Sequence, residues 1–286
     1  MGFSSIKSYV ESQVDLGKVQ TSSFRRTLPQ ATQAGTWCDL SMATGNPSPN
    51  YYASAPLVSA VLEAKDGIFH GSNTAPDAKN LASLLVQSSS STGVPVTLIL
   101  CDYLLYYPFI DMDSTDQQDL TNTTPLPRYE SGAGVRAFLV AQGNYVGGAD
   151  FFITYTNQDG VTGRVSPTIN SNTATFTATL VSSSDTSSID KRIGPFIPLQ
   201  SGDSGIRSVQ SITFLSSNGG IAALVLAKTL GQHIIREQAS PNEKNFIKDI
   251  MSAPRVRDGA FLNFLALPSG SLQSVAITGL ADFVWG

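Results

Sequence analysis

The first residues of the chain carry apolar side chains at helical spacing. Phe3, Ile6, Val10 and Val14 recur at intervals of three and four residues, which places them on one face of an α-helix. Gly17 stands where such a helix would end, because glycine readily adopts the left-handed backbone that closes helices. The pattern therefore predicts a short N-terminal helix.

Residues 19–56 show no sustained helical or strand period. They include the cluster Gly-Asn-Pro-Ser-Pro at 45–49, which favours turns and extended backbone over regular elements. Trp37, Tyr51 and Tyr52 flank this cluster and supply large amphipathic surfaces of the kind that lie against a partner. We therefore expect an ordered arm, with these three aromatic residues in partner contacts.

Two further helices are predicted along the chain. Pro76 precedes a stretch that places Leu81, Leu84 and Leu85 on one side of a helix ending near residue 88, and proline suits the first turn of a helix. The second spans Asn242 to Met251.

The remaining elements are predicted to be strands. Residues 57–62 have strand character, and residues 94–100 form a β-branched apolar run of strand length that we expect to be buried on both faces. From residue 134 onward the pattern is almost wholly β, with short apolar or alternating runs between turn residues. These runs cover 135–141, 151–156, 161–165, 173–181, 209–215, 221–227, 261–267 and 275–285.

This order of elements predicts a mainly β protein, a β-sandwich or jelly-roll-like fold with an N-terminal arm and two or three short helices. We expect residues 1–56 to form the helix and arm, and residues 57–286 a sandwich core that folds without the arm. Polar low-complexity stretches at 143–148 and 182–188 enclose a hairpin, so we expect 143–190 to form a small β insertion. Its clearest hairpin joins 151–156 to 161–165 through an Asp-Gly turn.

Composition and charge exclude several classes of protein. Only 14% of the residues are charged, against about 25% in an average soluble protein, yet 41% are hydrophobic, so the chain is expected to fold. The net charge of -4 and basic residues in pairs at most argue against nucleic-acid binding. The longest apolar run is broken by Asp102 and Pro108, and no signal peptide is evident, so we expect neither membrane insertion nor secretion.

The sequence contains candidate catalytic residues, but they do not form a complete catalytic triad. Gly-Asp-Ser-Gly at 202–205 and the order His70, Asp102, Ser204 match chymotrypsin-type proteases. However, the sequences around His70 and Ser204 lack the setting that those proteases have, so a tight turn is favoured over a nucleophile. We predict no catalytic residue and no cofactor.

Metal binding is not predicted either. The two histidines, His70 and His233, stand alone, and the acidic loop at 111–119 lacks the glycine that a calcium loop needs. Cys38 and Cys101 are too few for a disulfide framework and are interpreted as small hydrophobic residues.

The block 101–111 is rich in aromatic residues. Tyr106, Tyr107 and Phe109 could form a sugar-binding platform, but packing in the core or at a subunit interface is favoured because aromatic rings bury large areas. We list these three as further partner-contact candidates.

Three runs resemble a poorly characterised family of tailed-bacteriophage virion proteins. They are Gly35–Tyr52, Leu98–Asp111 and Gly194–Phe214. The resemblance carries no catalytic motif and implies assembly. We therefore expect a structural component of a bacteriophage virion, assembled in the host cytoplasm, foremost a capsid decoration or minor capsid protein that packs against itself as a homo-oligomer and against other virion proteins. The alternatives are a tail, neck or baseplate component and, less favoured, a glycan-binding or hydrolytic virion protein.

Overall fold

The computed structural model describes residues 3, 5–172, 176–182, 194–247 and 253–286, and within them the chain is mainly β. The helix α1 (Ile6–Val10) continues into a π-helical turn at Glu11–Asp15, and two 3-10 turns lie at Leu40–Met42 and Ala64–Asp66. The strands, in chain order, are β1 (Val19–Thr27), β2 (Cys38–Asp39), β3 (Thr44–Asn46), β4 (Ala60–Val61), β5 (Lys79–Ser88), β6 (Val96–Asp111), β7 (Gln118–Asp119), β8 (Val135–Ala141), β9 (Asp150–Asn157), β10 (Arg164–Val165), β11 (Ile169–Asn170), β12 (Ile206–Phe214), β13 (Ile221–Ile235), β14 (Asn242–Asn245), β15 (Phe261–Pro268) and β16 (Ala276–Trp285).

The strands form three antiparallel sheets. The first has the order β14-β5-β16-β1-β3, and the second has the order β2-β15-β6-β13-β8, with β4 also paired to β6. The third has the order β10-β9-β12-β7, with β11 also paired to β9. The predicted mainly β, sandwich-like fold is confirmed.

The second sheet lies between the other two. Its strand β13 sends Val225 into a core shared with the first sheet and the adjacent Leu224 into a core shared with the third. Side chains alternate across a strand, so a sheet covered on both faces reads as a continuous apolar run. This explains why β6 is buried almost throughout, as predicted for the part of 94–100 that lies in the strand, residues 96–100.

The predicted helix after Pro76 is wrong, because residues 79–88 form strand β5. Its pairing with β16 shifts register between Ser83 and Leu81, so Ala82 is an extra residue in the strand. A β-bulge of this kind changes which residues share a face. Leu81 and Leu84 consequently both enter the first core, and their three-residue spacing imitates a helix.

The predicted helix at 242–251 is also wrong at its start, because Asn242–Asn245 pair with β5 as an edge strand. Residues 248–251 lie outside the described residues. The predicted strand at 173–181 also falls partly outside them, and its described part makes isolated bridges at Thr179 and Leu180. The N-terminal helix is confirmed, and Gly17 ends it with φ +60°.

The segment expected to be an arm is built into the first sheet. β1 pairs with β16 along its whole length and with β3 at Arg25, Arg26 and Thr27. Arg26 is fully buried and donates hydrogen bonds to the carbonyls of Ala43 and Pro47, which fasten the Gly-Pro cluster to the strand. The expectation that this segment lacks regular strands is therefore wrong, and its removal would take away an inner strand.

The predicted hairpin around the Asp-Gly turn is present. Tyr155 of β9 lies opposite Arg164 of β10, and Gly160 in the turn has φ +80°. β9 also pairs with β12, which lies outside the 143–190 range expected to form an insertion. The hairpin is thus one part of the third sheet.

Candidate functional site

The N-terminal helix lies against the end of the first sheet through an inner face of two aromatic residues and a serine. Ser5 caps the helix, since its hydroxyl accepts from the Ser8 N–H at 3.1 Å. Ser12 is buried, and both its Oγ and the Phe3 ring lie within 3 Å of where a side chain on Gly286 would begin. The chain end after β16 therefore packs directly beneath the helix.

The contact beneath the helix also involves Tyr9. Its ring meets the Phe3 ring edge-on, with centroids 5.3 Å apart. Partial burial, with Asp282 nearby, raises the pKa of the Tyr9 phenol. Phe3, Tyr9 and Ser12 together define the inner face.

The apolar stripe of the same helix points into solvent. Ile6, Val10, Val14 and the following Leu16 are exposed to 66%, 45%, 71% and 64%. The predicted apolar face is thus divided, because Phe3 turns inward and the other three turn outward. A surface helix normally buries its apolar stripe against the core. We call these four residues the outer stripe.

Charged side chains border the outer stripe. Lys7 and Glu11 form an exposed ion pair at 3.6 Å one turn apart, and Asp15 is also exposed. Exposed pairs of this kind contribute little to stability. An apolar centre with a charged rim is the usual anatomy of a protein–protein interface.

The six aromatic residues predicted to contact partners occupy different environments. Tyr51 is 53% exposed, whereas Trp37 and Phe109 are half-buried, with Trp37 packed against the first core. For Tyr52, Tyr106 and Tyr107 the expectation is corrected, because all three are buried inside the chain. Tyr107, for example, donates to Asn122 Oδ1 at 2.7 Å and accepts from the Val209 N–H.

Tyr52 belongs to an internal cluster around Asp39. The fully buried Asp39 carboxylate accepts hydrogen bonds from the hydroxyls of Tyr52, Ser41 and Tyr103 and from the Ser41 N–H. Burial raises the pKa of Asp39, and these four donors oppose that shift. The cluster links the segment at 39–52, which includes β3, to β6, a role that residue type alone does not reveal.

The three residues in protease order do not meet. His70 is buried and bonds the Ala260 carbonyl and Lys79 Nζ, at 3.0 and 3.1 Å. The Asp102 carboxylate accepts hydrogen bonds from Nε and Nη2 of Arg128 and from the Phe261 N–H. Burial, only partly offset by Arg128, raises the pKa of Asp102 to about 6.

The Gly-Asp-Ser-Gly segment forms a turn secured by its aspartate. Asp203 binds Arg164 Nε at 2.9 Å, Tyr155 OH at 2.6 Å and Asn157 Nδ2 at 2.7 Å, while the Ser204 N–H donates to Gln158. The Arg164 hydrogen bond is the main cause that lowers the pKa of Asp203 to about 2. Asp203 therefore fixes the turn to the β9–β10 hairpin.

No group of three His, Cys, Asp or Glu side chains among the described residues is placed to hold a metal ion. Both cysteines are buried free thiols. In the described part of the chain, no helix is long and apolar enough to span a membrane.

Comparisons with known proteins find little. No family model and no curated protein matches the chain. Two solved structures of the VP2 protein of infectious bursal disease virus have weak similarity. One, from derived T=1 particles of a mutant, is 9% identical over 96% of this chain and 82% of VP2, with a TM-score of 0.18. The other, a subviral particle, is 11% identical over 93% and 80%, with a TM-score of 0.14. At these TM-scores the likeness to a viral capsid protein carries no argument about function.

Proposed function

We propose that this chain is a structural component of a bacteriophage virion, foremost a capsid decoration or minor capsid protein. In this role it packs against copies of itself and against a neighbouring shell protein. The proposal assigns the chain no reaction, cofactor, nucleic-acid partner or membrane partner. It draws on the resemblance of three sequence runs to tailed-bacteriophage virion proteins and on the outer stripe.

The outer stripe is the observation that carries the proposal. A fully buried Val, Leu or Ile side chain gains about 1.5–3 kcal/mol relative to an exposed one. Because Ile6 and Val14 are each about two-thirds exposed, covering them would gain about 1–2 kcal/mol apiece. A neighbouring copy that covers the stripe would recover this free energy, and the charged rim would set its orientation.

Sedimentation of the full chain over a range of concentrations tests the proposal. We expect reversible self-association, weakened about 30- to 700-fold in Kd by the double substitution Ile6→Ser and Val14→Ser, which removes about 2–4 kcal/mol. Both side chains face solvent, so the variant should keep the circular dichroism spectrum and melting temperature of the unsubstituted chain.

A matched control uses two valines on the β9–β10 hairpin. Val161 and Val165 are 51% and 45% exposed, and their replacement by serine should leave association unchanged. Equal weakening by both double variants, or association of the Ile6→Ser, Val14→Ser chain at its original strength, would overturn the role of the outer stripe. A chain that stays monomeric at every concentration would overturn self-packing.

A further inference from the structure

Four basic side chains surround one small cavity in a chain that is poor in charge. Lys79, Arg128, Arg255 and Arg257 line a space of about 220 Å³. We call these four residues the basic cleft. They represent four of the chain's 18 lysines and arginines.

The two carboxylates in the same cavity are already paired with lysines. Asp77 binds Lys18 at 2.6 Å, and Asp258 lies 3.5 Å from Lys79 Nζ. The Lys79 side chain is completely buried and also donates to the Ser72 carbonyl at 2.7 Å. These two carboxylates therefore form their ion pairs with lysines and not with the arginines of the cleft.

Arg255 and Arg257 are the available cations. Both are exposed, and neither forms an ion pair with any residue that the structure describes. The Arg257 guanidinium lies over the Tyr129 ring at 5.7 Å, and Lys228 approaches the same ring at 5.8 Å. Stacking on an aromatic ring holds a guanidinium in place while its N–H groups remain free to donate.

The chain also carries a surface of opposite charge. The nine-residue stretch 111–119 contains four aspartates, and all four are exposed: Asp111, Asp113, Asp116 and Asp119. Within the described ranges none of them belongs to an ion pair. Gln118 closes this acidic loop, because its Oε1 accepts a hydrogen bond from the Asp111 N–H and its Nε2 donates one to the Asp111 carbonyl.

The acidic loop cannot reach the basic cleft of its own chain. Arg128 of the cleft is fixed to Asp102, and the loop begins at Asp111, nine residues farther along the same strand β6. The facing residues of β13, Lys228 and Ile221, are only seven residues apart, so at about 3.3 Å per residue the two positions lie roughly 23 Å apart. The complementary surfaces thus lie well apart along β6, one beside its middle and the other at its end.

We infer that the basic cleft of one copy receives the acidic loop, residues 111–119, of a second copy. The inference rests on the proposed function, which requires copies to pack together, and it specifies one contact. Because the two surfaces differ, the contact is head-to-tail and produces a ring or an open stack. Arginine forks suit carboxylates, since each guanidinium can donate two parallel hydrogen bonds.

Charge reversal tests the contact by sedimentation of the full-length chain. The substitutions Arg255→Glu and Arg257→Glu on one variant, and Asp113→Lys and Asp116→Lys on another, should each weaken self-association about tenfold or more. An equimolar mixture of the two variants should regain association, because each reversed surface then meets its complement. A control variant with Arg236→Glu, at an exposed site just past the end of β13 and outside both surfaces, should associate like the unsubstituted chain.

The salt dependence of self-association provides a second test of the contact. The Debye length falls from about 30 Å at 0.01 M to about 3 Å at 1 M salt, so the contact should weaken across this range. The inference is overturned if the mixture does not regain association, or if the arginine variant associates normally. It is also overturned if the arginine variant self-associates normally but no longer binds a single-stranded oligonucleotide. That result would make the cleft a polyanion site.

The two proposals fail separately. If the Ile6→Ser, Val14→Ser chain loses association and charge reversal has no effect, the outer stripe is the packing surface and the cleft contact is wrong. The opposite result would retain the cleft contact and remove the stripe.

Discussion

Replacing Tyr52 by phenylalanine should destabilise the fold, whereas the same change at Tyr51 should not. The Tyr52 ring is fully buried, and its hydroxyl contacts both Asp39 Oδ2 and Ser41 Oγ. Tyr51 is 53% exposed. The two neighbours therefore provide a matched pair that differs mainly in burial.

The magnitude follows from the hydrogen bond that is removed. A hydrogen bond to a charged group contributes about 1.5–3 kcal/mol, and Asp39 would lose one of its four donors in Tyr52→Phe. At about 2 kcal/mol, and with an unfolding entropy of about 2.1 cal/mol/K per residue over 286 residues, the melting temperature should fall by roughly 3 °C. Tyr51→Phe should change stability by less than about 0.5 kcal/mol.

Thermal unfolding followed by circular dichroism, with sedimentation on the same samples, measures both effects. Equal melting temperatures for the two variants would refute the internal role assigned to Tyr52. So would a Tyr52→Phe chain that melts normally but no longer self-associates, because that result would place the residue at a partner surface.

Two further predictions concern the core and the turn at 202–205. Phe261→Ala should lower the free energy of unfolding by about 3–5 kcal/mol in denaturant titrations, because the ring is fully buried against Tyr103; a loss below about 1 kcal/mol would contradict this packing. Asp203 has a folded pKa lowered to about 2, so its stabilisation is present above pH 4 and is lost as the pH falls toward 2. Asp203→Asn should therefore flatten the acid limb of the stability–pH curve, and an unchanged limb would contradict the Arg164 contact.

Sequence patterns predicted strands well where an apolar run corresponds to a strand that is buried on both faces. β8, β15 and residues 221–227 of β13 are mainly apolar because both faces of the second sheet are covered. Strand β1 was not predicted, because its inward-facing residues include Ser22 and Arg26, which are polar but buried. Hydrophobic alternation cannot reveal a strand whose buried face is partly polar.

The candidate surfaces depend on tertiary orientation, which a sequence pattern does not contain. The spacing of Ile6, Val10 and Val14 predicts an apolar stripe but not the side on which the sheet lies. Likewise, Arg128 and Arg255 are far apart in the chain, and only the fold places them around one cavity. Residue type marked Tyr51 and Tyr52 alike as partner contacts, and only the fold shows that Tyr51 is exposed and Tyr52 is buried.

The most direct test of the central claim is the copy number of this chain in intact particles from the source that encodes it, measured by quantitative mass spectrometry. A virion structural component should be present at fixed stoichiometry. Multiples of sixty would place it in the shell, as we propose, and six or twelve copies would place it in the neck or tail. Absence from purified particles, with the protein abundant elsewhere in the lysate, would contradict the account.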